Sequence, residues 1–132
     1  MIIVQVVLCL CWFTVAVFEW RPAFYAFWLL AVLQSAIWVS SCSAGWRRVC
    51  LVILMSGTIL NAAVILTNGG MPVPGVTGPL PIWWVPMHDG QHLLWLADVY
   101  AGFSIGDMFL IGGGLGWIVQ TVVETVRASD GR

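Results

Sequence analysis

An apolar segment in the middle of the chain carries two asparagines and then stops abruptly. Residues 56–67 are mostly apolar but include Asn61, and Asn68 follows directly, before Gly69, Gly70 and a proline. Carboxamides are costly in hydrocarbon unless they face protein, water or a ligand. The two asparagines are seven residues apart, so a helix places them on one face. The segment therefore predicts a membrane-spanning helix with polar partners along one side.

The composition places the chain in a membrane. Hydrophobic residues make up 61% of its 132 residues and charged residues 8%, against about 25% charged residues in a soluble domain. So few charged side chains cannot cover a surface exposed to water, and the lack of a basic patch excludes nucleic-acid binding. We expect an integral membrane protein whose first partner is the lipid bilayer.

Four apolar segments reach or approach the roughly 17–25 residues that a helix needs to cross a bilayer. They cover residues 2–18, 23–40, 49–67 and 103–123. The predicted fold is all-α, a single transmembrane domain over residues 1–132 with four spanning helices. Short turns join the first three segments, which makes them antiparallel neighbours. The first segment has no preceding basic residue and no small-x-small cleavage site, so we expect a retained helix and not a signal peptide.

The arginines indicate the orientation. Arg47 and Arg48 lie between the second and third segments, and Arg127 and Arg132 lie in the C-terminal tail, whereas the loop 69–102 has no arginine. Because basic residues favour the cytoplasmic side, both termini are predicted in the cytoplasm and this loop outside. The expected location is the bacterial inner (cytoplasmic) membrane, with several passes.

The outer loop, residues 69–102, is the second unusual region. Its first part is rich in proline and glycine and is predicted to be extended and turn-rich. Trp83 and Trp84 belong to an apolar patch too short to span, and we interpret them as an interfacial anchor. Residues 88–100 are predicted to form a short amphipathic helix. Long loops are usually functional or disordered, and this one has too many apolar residues for disorder.

The third segment offers two interpretations of its polar residues. In the structural one, Gly57 makes a tight helix contact, Asn61 makes an interhelical hydrogen bond, and Asn68 caps the helix end. In the functional one, the two amides line a polar pocket that opens to the outer face.

The fourth segment opens with Ser104 and Asp107, and Ser-x-x-Asp before an apolar run is typical of a capping box. The acid also suits the positive end of the helix dipole. Deeper in the segment, Gly112 and Gly116 form a Gly-x-x-x-Gly pair that predicts close helix packing. We favour a contact within the chain, with another subunit or a flat cofactor as alternatives.

The remaining candidates are ionisable residues of the outer loop. His88 and His92 are one helical turn apart, and Asp89, Asp98 or Asp107 would have to complete a metal site. We favour solvated or hydrogen-bonded histidines and predict no metal. No nucleophile motif is present, so no catalytic residue is predicted. The candidate polar site consists of these residues: Asn61, Asn68, His88, His92, Asp98, Ser104 and Asp107.

Two motifs carry a family resemblance. They resemble motifs of a family of small bacterial membrane proteins known as a domain of unknown function. The first, Asn68-Gly69-Gly70-Met71-Pro72-Val73, resembles the family's Asn-Gly-Gly-x-Met-Pro-Val, and the second, Phe103-Ser104-Ile105-Gly106-Asp107, resembles its Phe-Ser-Ile-Gly-Asp. Between them, Leu96-Ala97-Asp98 resembles the family's Leu-Gly-Asp. Here Met71 follows Gly70 directly, and Ala97 replaces a glycine. The resemblance covers roughly the C-terminal two thirds of the chain. It implies four spans and a polar outer mouth, and it implies no activity.

These features favour a non-catalytic accessory or structural subunit of a larger bacterial membrane complex, with other membrane protein subunits as partners. An energy-converting complex, respiratory or photosynthetic, is one candidate. One alternative is a small membrane enzyme or transporter with its polar site at the outer mouth of the bundle. The other is a protein that binds lipid, quinone or pigment on the Trp83-Trp84 patch and the glycine groove. No cofactor is predicted, and a bound lipid, quinone or pigment stays open.

Overall fold

The computed structural model describes residues 2–76, 80–97 and 103–130. Most of these residues are helical, which confirms the predicted helical fold class. The elements in chain order are α1 (Ile2–Phe18), α2 (Arg21–Ser41), α3 (Trp46–Asn68), β1 (Met71–Val73), β2 (Trp84–Pro86), a 3₁₀ helix (Leu94–Leu96) and α4 (Ile105–Asp130).

In the part of the chain that the structure describes, three helices are long and apolar enough to cross a membrane, namely α2, α3 and α4. They have 21, 23 and 26 residues, so each is longer than the segment predicted from the sequence. α1 is apolar as well and has 17 residues, which is the lower end of the range for a spanning helix.

Local signals explain where these helices begin and end. Pro22 lies in the first turn of α2, where its missing N–H is not needed for an intrahelical bond. Gly69 follows the last residue of α3 with φ +76°, a left-handed conformation that glycine adopts without steric cost. Only Glu19 and Trp20 separate α1 from α2, so the chain reverses within two residues.

The helices pack in chain order. α1 lies against α2, α2 against α3, and α3 against α4, with the most extensive contact between α3 and α4. The sequential packing of the first three helices is what their short turns predict. Among the described residues, α1 has no comparable contact with α3 or α4. The helices therefore form an open row, which leaves one side of α3 uncovered by α1.

Glycines allow α3 and α4 to approach closely. A Cβ atom added at Gly57 would lie 2.5 Å from the backbone oxygen of Gly106. One added at Gly113 would overlap the backbone of Leu54. These three glycines form what we call the glycine seam (Gly57, Gly106 and Gly113). At Gly57 and Gly113 the nearest opposite atoms belong to the other helix's backbone, and at Gly106 they belong to the Asn61 side chain. Only a residue without a side chain fits at such positions.

The glycine of α4 that contacts α3 lies one residue away from Gly112. Gly112 is exposed and has no atom within 4 Å of an added Cβ, so the internal contact expected there lies at Gly113. Gly116 does face α3, since an added Cβ would lie 2.9 Å from Cys50 Sγ. Neighbouring helix residues are rotated by about 100°, and a spacing motif alone does not say which of two adjacent glycines faces the partner helix.

The hydrophobic core lies where α3 ends and α4 begins, which we call the outer end. Val15, Phe24 and Val64, from the first three helices, are almost completely buried there. The loop between α3 and α4 adds four buried residues to this cluster: Met71, Ile82, Leu96 and Ala97. The loop is therefore packed onto the helices as part of the core.

The same loop contains a short parallel strand pair. β1 and β2 pair over three residues. The pair begins with the Met71 N–H, which donates to the Trp83 carbonyl at 2.7 Å, and ends with the Met87 N–H, which donates to the Val73 carbonyl at 3.1 Å. The sequence predicted an extended proline-rich segment but not this pairing, because a proline-rich run has no alternation that identifies a strand.

The amphipathic helix predicted over residues 88–100 is wrong for the described part of that range. Residues 88–93 are not helical, and only Leu94–Leu96 form a 3₁₀ helix. Gly90 and Leu93 have φ values of +91° and +57°, and left-handed residues interrupt a right-handed helix. Apolar spacing suggested a helix, but these side chains pack onto the core from irregular backbone. Residues 98–100 lie outside the described part of the chain.

The glycine seam gives a matched pair of substitutions. Gly113→Ala is expected to lower the free energy of unfolding by about 1–3 kcal/mol, because the new Cβ overlaps the backbone of α3. Gly112→Ala, one residue away, is expected to be neutral or to stabilise by up to about 1 kcal/mol through helix propensity. Unfolding in mixed detergent micelles by added SDS, followed by circular dichroism, measures both. Equal losses in the two variants would contradict the seam.

Candidate functional site

A cluster of polar side chains lies at the outer end of the contact between α3 and α4. Asn61 projects from α3, Ser104 precedes α4, and Asp107 lies in the first turn of α4. The Asn61 Nδ2 group donates to Asp107 Oδ1 at 2.7 Å, and the Ser104 hydroxyl donates to Asn61 Oδ1 at 2.8 Å. We call these three residues the polar lock, because they bond two helices to each other.

Ser104 and Asp107 also cap α4. The Ser104 N–H donates to Asp107 Oδ2 at 3.0 Å, and the Asp107 N–H donates to Ser104 Oγ at 2.9 Å. This is the reciprocal geometry of a capping box, with aspartate in the position usually held by glutamate. The carboxylate lies at the positive end of the helix dipole. Both bonds are local, which is why the Ser-x-x-Asp motif indicates them.

Burial makes this network energetically important. Asn61 is 2% exposed and Ser104 is fully buried. A Cβ added at Gly106 would overlap the Asn61 carboxamide, so the glycine makes room for Asn61 between Ser104 and Asp107. A buried polar group that loses its partner costs about 1–3 kcal/mol. A shift of α3 along α4 would break these hydrogen bonds, so the network favours one register of the two helices.

The bonding of the polar lock is that of a structural element. The Ser104 proton is directed at a carboxamide oxygen, which is not a base, so the hydroxyl is not activated as a nucleophile. Both carboxylate oxygens of Asp107 accept hydrogen bonds from N–H groups of the protein. The arrangement fixes two helices and prepares no group for proton transfer.

Asn68 takes part in a separate contact. Its Oδ1 atom accepts from the His92 backbone N–H at 2.8 Å, and its Nδ2 atom donates to the His92 carbonyl at 2.8 Å. Nδ2 also donates to the carbonyl of Val64 at 2.9 Å. The carboxamide therefore binds the backbone of the outer loop in the way that a neighbouring strand would, and we call this pair the loop clamp (Asn68 and His92).

The two histidines do not converge on a common site. His88 and His92 are both exposed, and His88 Nδ1 lies 2.9 Å from the carbonyl oxygen of Asp89. Within the described ranges, no group of three or more His, Cys, Asp or Glu side chains has the geometry to hold a metal ion. Asp98, the remaining candidate, lies outside the described residues.

The two loop tryptophans have different surroundings. Trp83 is half-buried against the core, and its ring centroid lies 6.2 Å from that of Trp12 in α1. Trp84 is 39% exposed. Trp83 therefore connects the outer loop to α1, whereas Trp84 is the one that faces outward.

An ion pair at the opposite, inner end was not singled out by the sequence analysis. Arg47 Nη1 lies 3.2 Å from Glu124 Oε2, and its guanidinium lies 5.7 Å from the ring centroid of Trp117. Gln120 donates to the other Glu124 oxygen at 3.0 Å. The side chains of Arg47 and Glu124 are 39% and 43% exposed. The pair therefore contributes at most about 1 kcal/mol to the free energy of unfolding. It joins α3 and α4 a second time, far along the chain from the polar lock.

A cavity of about 930 Å³ between α1, α2 and α3 was also not predicted. Much of its wall is aromatic, and it includes three buried polar residues: Gln34, Ser35 and Thr58. The signal in the sequence was the Gln34-Ser35 pair in the middle of an apolar span. A pair of polar residues does not reveal a cavity, because the gap depends on how three helices are spaced.

The candidate residues thus separate into the polar lock, the loop clamp and an exposed His88. Comparisons with protein-family models, with curated proteins and with solved structures gave no match to this chain.

The polar lock predicts coupling between its members. Asn61→Leu leaves Asp107 and the Ser104 hydroxyl without their partner and is expected to cost about 1–3 kcal/mol of unfolding free energy. Asp107→Ala removes the same bond from the other side, so the double variant should lose at least about 0.5 kcal/mol less than the sum of the single losses. SDS titration measures all three. Thr125→Val, which removes an exposed hydroxyl bonded only to the Thr121 carbonyl, is the control and should be near neutral. Additive losses would contradict the lock.

The loop clamp predicts a difference between its two members. Asn68→Ala removes both bonds to the loop backbone, whereas His92→Ala keeps the N–H and C=O groups that Asn68 binds. Hydrogen exchange of the amides in residues 83–97 is therefore expected to accelerate in Asn68→Ala and to stay close to wild type in His92→Ala. Acceleration in His92→Ala alone would mean that the imidazole, and not the backbone, holds the loop.

Proposed function

We propose that this chain is a non-catalytic accessory subunit of a larger bacterial membrane complex. The observation that carries the proposal is the bonding of Asn61, Ser104, Asp107 and Asn68. Each of these polar side chains is engaged in hydrogen bonds within the chain. Polar groups at membrane depth usually mark a functional pathway, but here they bond helices and loop to each other.

The surface of α4 supports a role in assembly. α4 meets α3 along the glycine seam and presents large apolar side chains on the rest of its surface. The exposed ones are Met108, Phe109, Ile111, Leu115, Ile118, Val119, Val122 and Val126. A helix of this kind fits a subunit that contacts lipid on one side and another membrane protein on the other. The family resemblance supports a bacterial inner membrane, and an energy-converting complex, respiratory or photosynthetic, is the first candidate assembly.

We further propose four membrane crossings with both termini in the cytoplasm. α1 would be the fourth span. The end of α1 lies at the outer end, where Trp12 contacts Trp83, and so does the start of α2, where Arg21 Nη1 lies 3.5 Å from the Gly69 carbonyl oxygen. The Arg47–Glu124 pair lies at the opposite end. Basic residues that lie mostly at that end favour a cytoplasmic location for it.

The alternative of an enzyme or transporter receives less support. Its site would be built from these residues at one mouth: Asn61, Asn68, His88, His92, Asp98 and Asp107. The side chains of Asn61 and Asp107 bond each other, and that of Asn68 bonds the backbone of His92, so these groups are already engaged within the chain. The alternative of a lipid, quinone or pigment site finds its support in a different place, the cavity between α1, α2 and α3.

A C-terminal fusion to green fluorescent protein, expressed from the native locus, tests both proposals. After extraction in digitonin, the fluorescent species is expected to migrate in native electrophoresis as a large complex with a fixed set of partner proteins. Whole cells are expected to fluoresce, which indicates a cytoplasmic C-terminus, because green fluorescent protein that crosses the membrane as an unfolded chain does not become fluorescent. The same reporter on an unrelated multi-pass protein serves as the control for non-specific partners.

Two outcomes of this experiment would contradict the proposals. A monodisperse free protein at native expression, with no partner in stoichiometric amount, would contradict the accessory role. A fusion that is abundant but dark would contradict the cytoplasmic C-terminus.

A further inference from the structure

The cavity between α1, α2 and α3 has the size of a small-molecule site. Its volume of about 930 Å³ lies within the roughly 300–1,000 Å³ of ligand pockets. It exists because α1 packs on α2 and has no extensive contact with α3 among the described residues. α1 therefore does not cover the part of α3 that carries Leu54 and Thr58. The cavity faces α1 and α2, whereas the polar lock lies between α3 and α4.

The aromatic part of the wall favours a flat ring. The ring of Phe27 lies between two indoles, 5.2 Å from Trp12 and 5.6 Å from Trp28 between centroids. Phe27 thus contacts both indoles, and the three rings together present one aromatic surface. A planar ring lies against such a surface in stacked or edge-to-face contact. A saturated acyl chain gains no such contact, and aliphatic side chains would accommodate it equally well.

The polar part of the wall suits a hydroxyl group, which both donates and accepts hydrogen bonds. The donors of this wall are the buried indole N–H groups of Trp28 and Trp38, which have no partner among the described residues. The Ser35 hydroxyl donates to the Val32 carbonyl at 2.8 Å, and the Thr58 hydroxyl donates to the Leu54 carbonyl at 3.1 Å. Each hydroxyl hydrogen is thereby used within its own helix, and each oxygen keeps lone pairs as an acceptor. Both residues are 5% exposed, so bulk water does not satisfy them. Gln34 is buried in the same wall.

We propose that this cavity binds a membrane-soluble ring compound with a hydroxyl group, of the quinol class. The ring lies among Trp12, Phe27 and Trp28, and its O–H donates to the oxygen of Ser35 or Thr58. The proposal does not rest on the accessory role, because a subunit and a free protein would hold such a ligand in the same way.

The purified full-length protein in phosphatidylcholine nanodiscs, kept free of oxygen, tests the hydroxyl. Decyl-benzoquinol is titrated, and quenching of tryptophan fluorescence is followed. Saturable quenching is expected, and the dimethyl ether of the same compound should bind about tenfold more weakly, the effect of losing one hydrogen bond. Equal affinity for quinol and ether, or quenching that never saturates, would overturn the proposal.

A matched pair of variants tests the location. Ala31 lines the cavity, whereas Ala36 on the same helix is exposed and does not line it. Ala31→Leu fills part of the cavity and is expected to weaken quinol binding at least tenfold, and Ala36→Leu should change it less than twofold. Equal effects of the two variants would overturn the site. If Ala31→Leu does not fold, the quinol–ether comparison on the wild-type protein decides alone.

Native mass spectrometry distinguishes the occupants. Quinol retained in the complex, at the expense of bound lipid, supports the proposal. Phospholipid retained at every quinol concentration would mean that an acyl chain fills the cavity, and this result too would overturn it.

Discussion

The hydrogen bonds of Asn61 are the constraint on which the other contacts depend. A carboxamide in hydrocarbon needs a partner, and the structure supplies two at the start of α4: the Ser104 hydroxyl and the Asp107 carboxylate. When Asn61 bonds these two partners, the outer halves of α3 and α4 lie against each other. Gly57 and Gly106 make this approach sterically possible. Once both helices are fixed, the ends of the outer loop are fixed too, and the loop closes over the core.

This order of dependence separates structure from function in the polar residues. The lock and the loop clamp use their donors and acceptors within the chain, so their role is to set the register of two helices and the position of a loop. The features that face outward are of a different kind. They are the apolar surface of α4 and the aromatic cavity between α1, α2 and α3, and both suit contacts with other membrane components.

The sequence indicated the features that depend on neighbouring residues. Apolar runs of spanning length predicted α2, α3 and α4, and Ser-x-x-Asp indicated a cap that lies where Ser104 and Asp107 bond each other. For residues distant in the chain, it indicated an interhelical bond at Asn61 and a close contact at Gly57 without identifying their partners, and it did not reveal the other long-range features. The strand pairing of β1 with β2, the hydrogen bonds between Asn68 and the His92 backbone, and the cavity all require that the helices are already placed. The same reason explains Gly112, since spacing defines a helix face only to within one residue.

The most direct test of the lock is a distance measured in a bilayer. With ¹⁵N-labelled asparagine and ¹³C-labelled aspartate, solid-state NMR detects the dipolar coupling between the Asn61 side-chain nitrogen and the Asp107 carboxyl carbon. The Asn61→Leu variant identifies the signal. A nitrogen–oxygen separation of 2.7 Å predicts a strong coupling that is lost in the variant. The absence of this coupling in the wild-type protein would contradict the account.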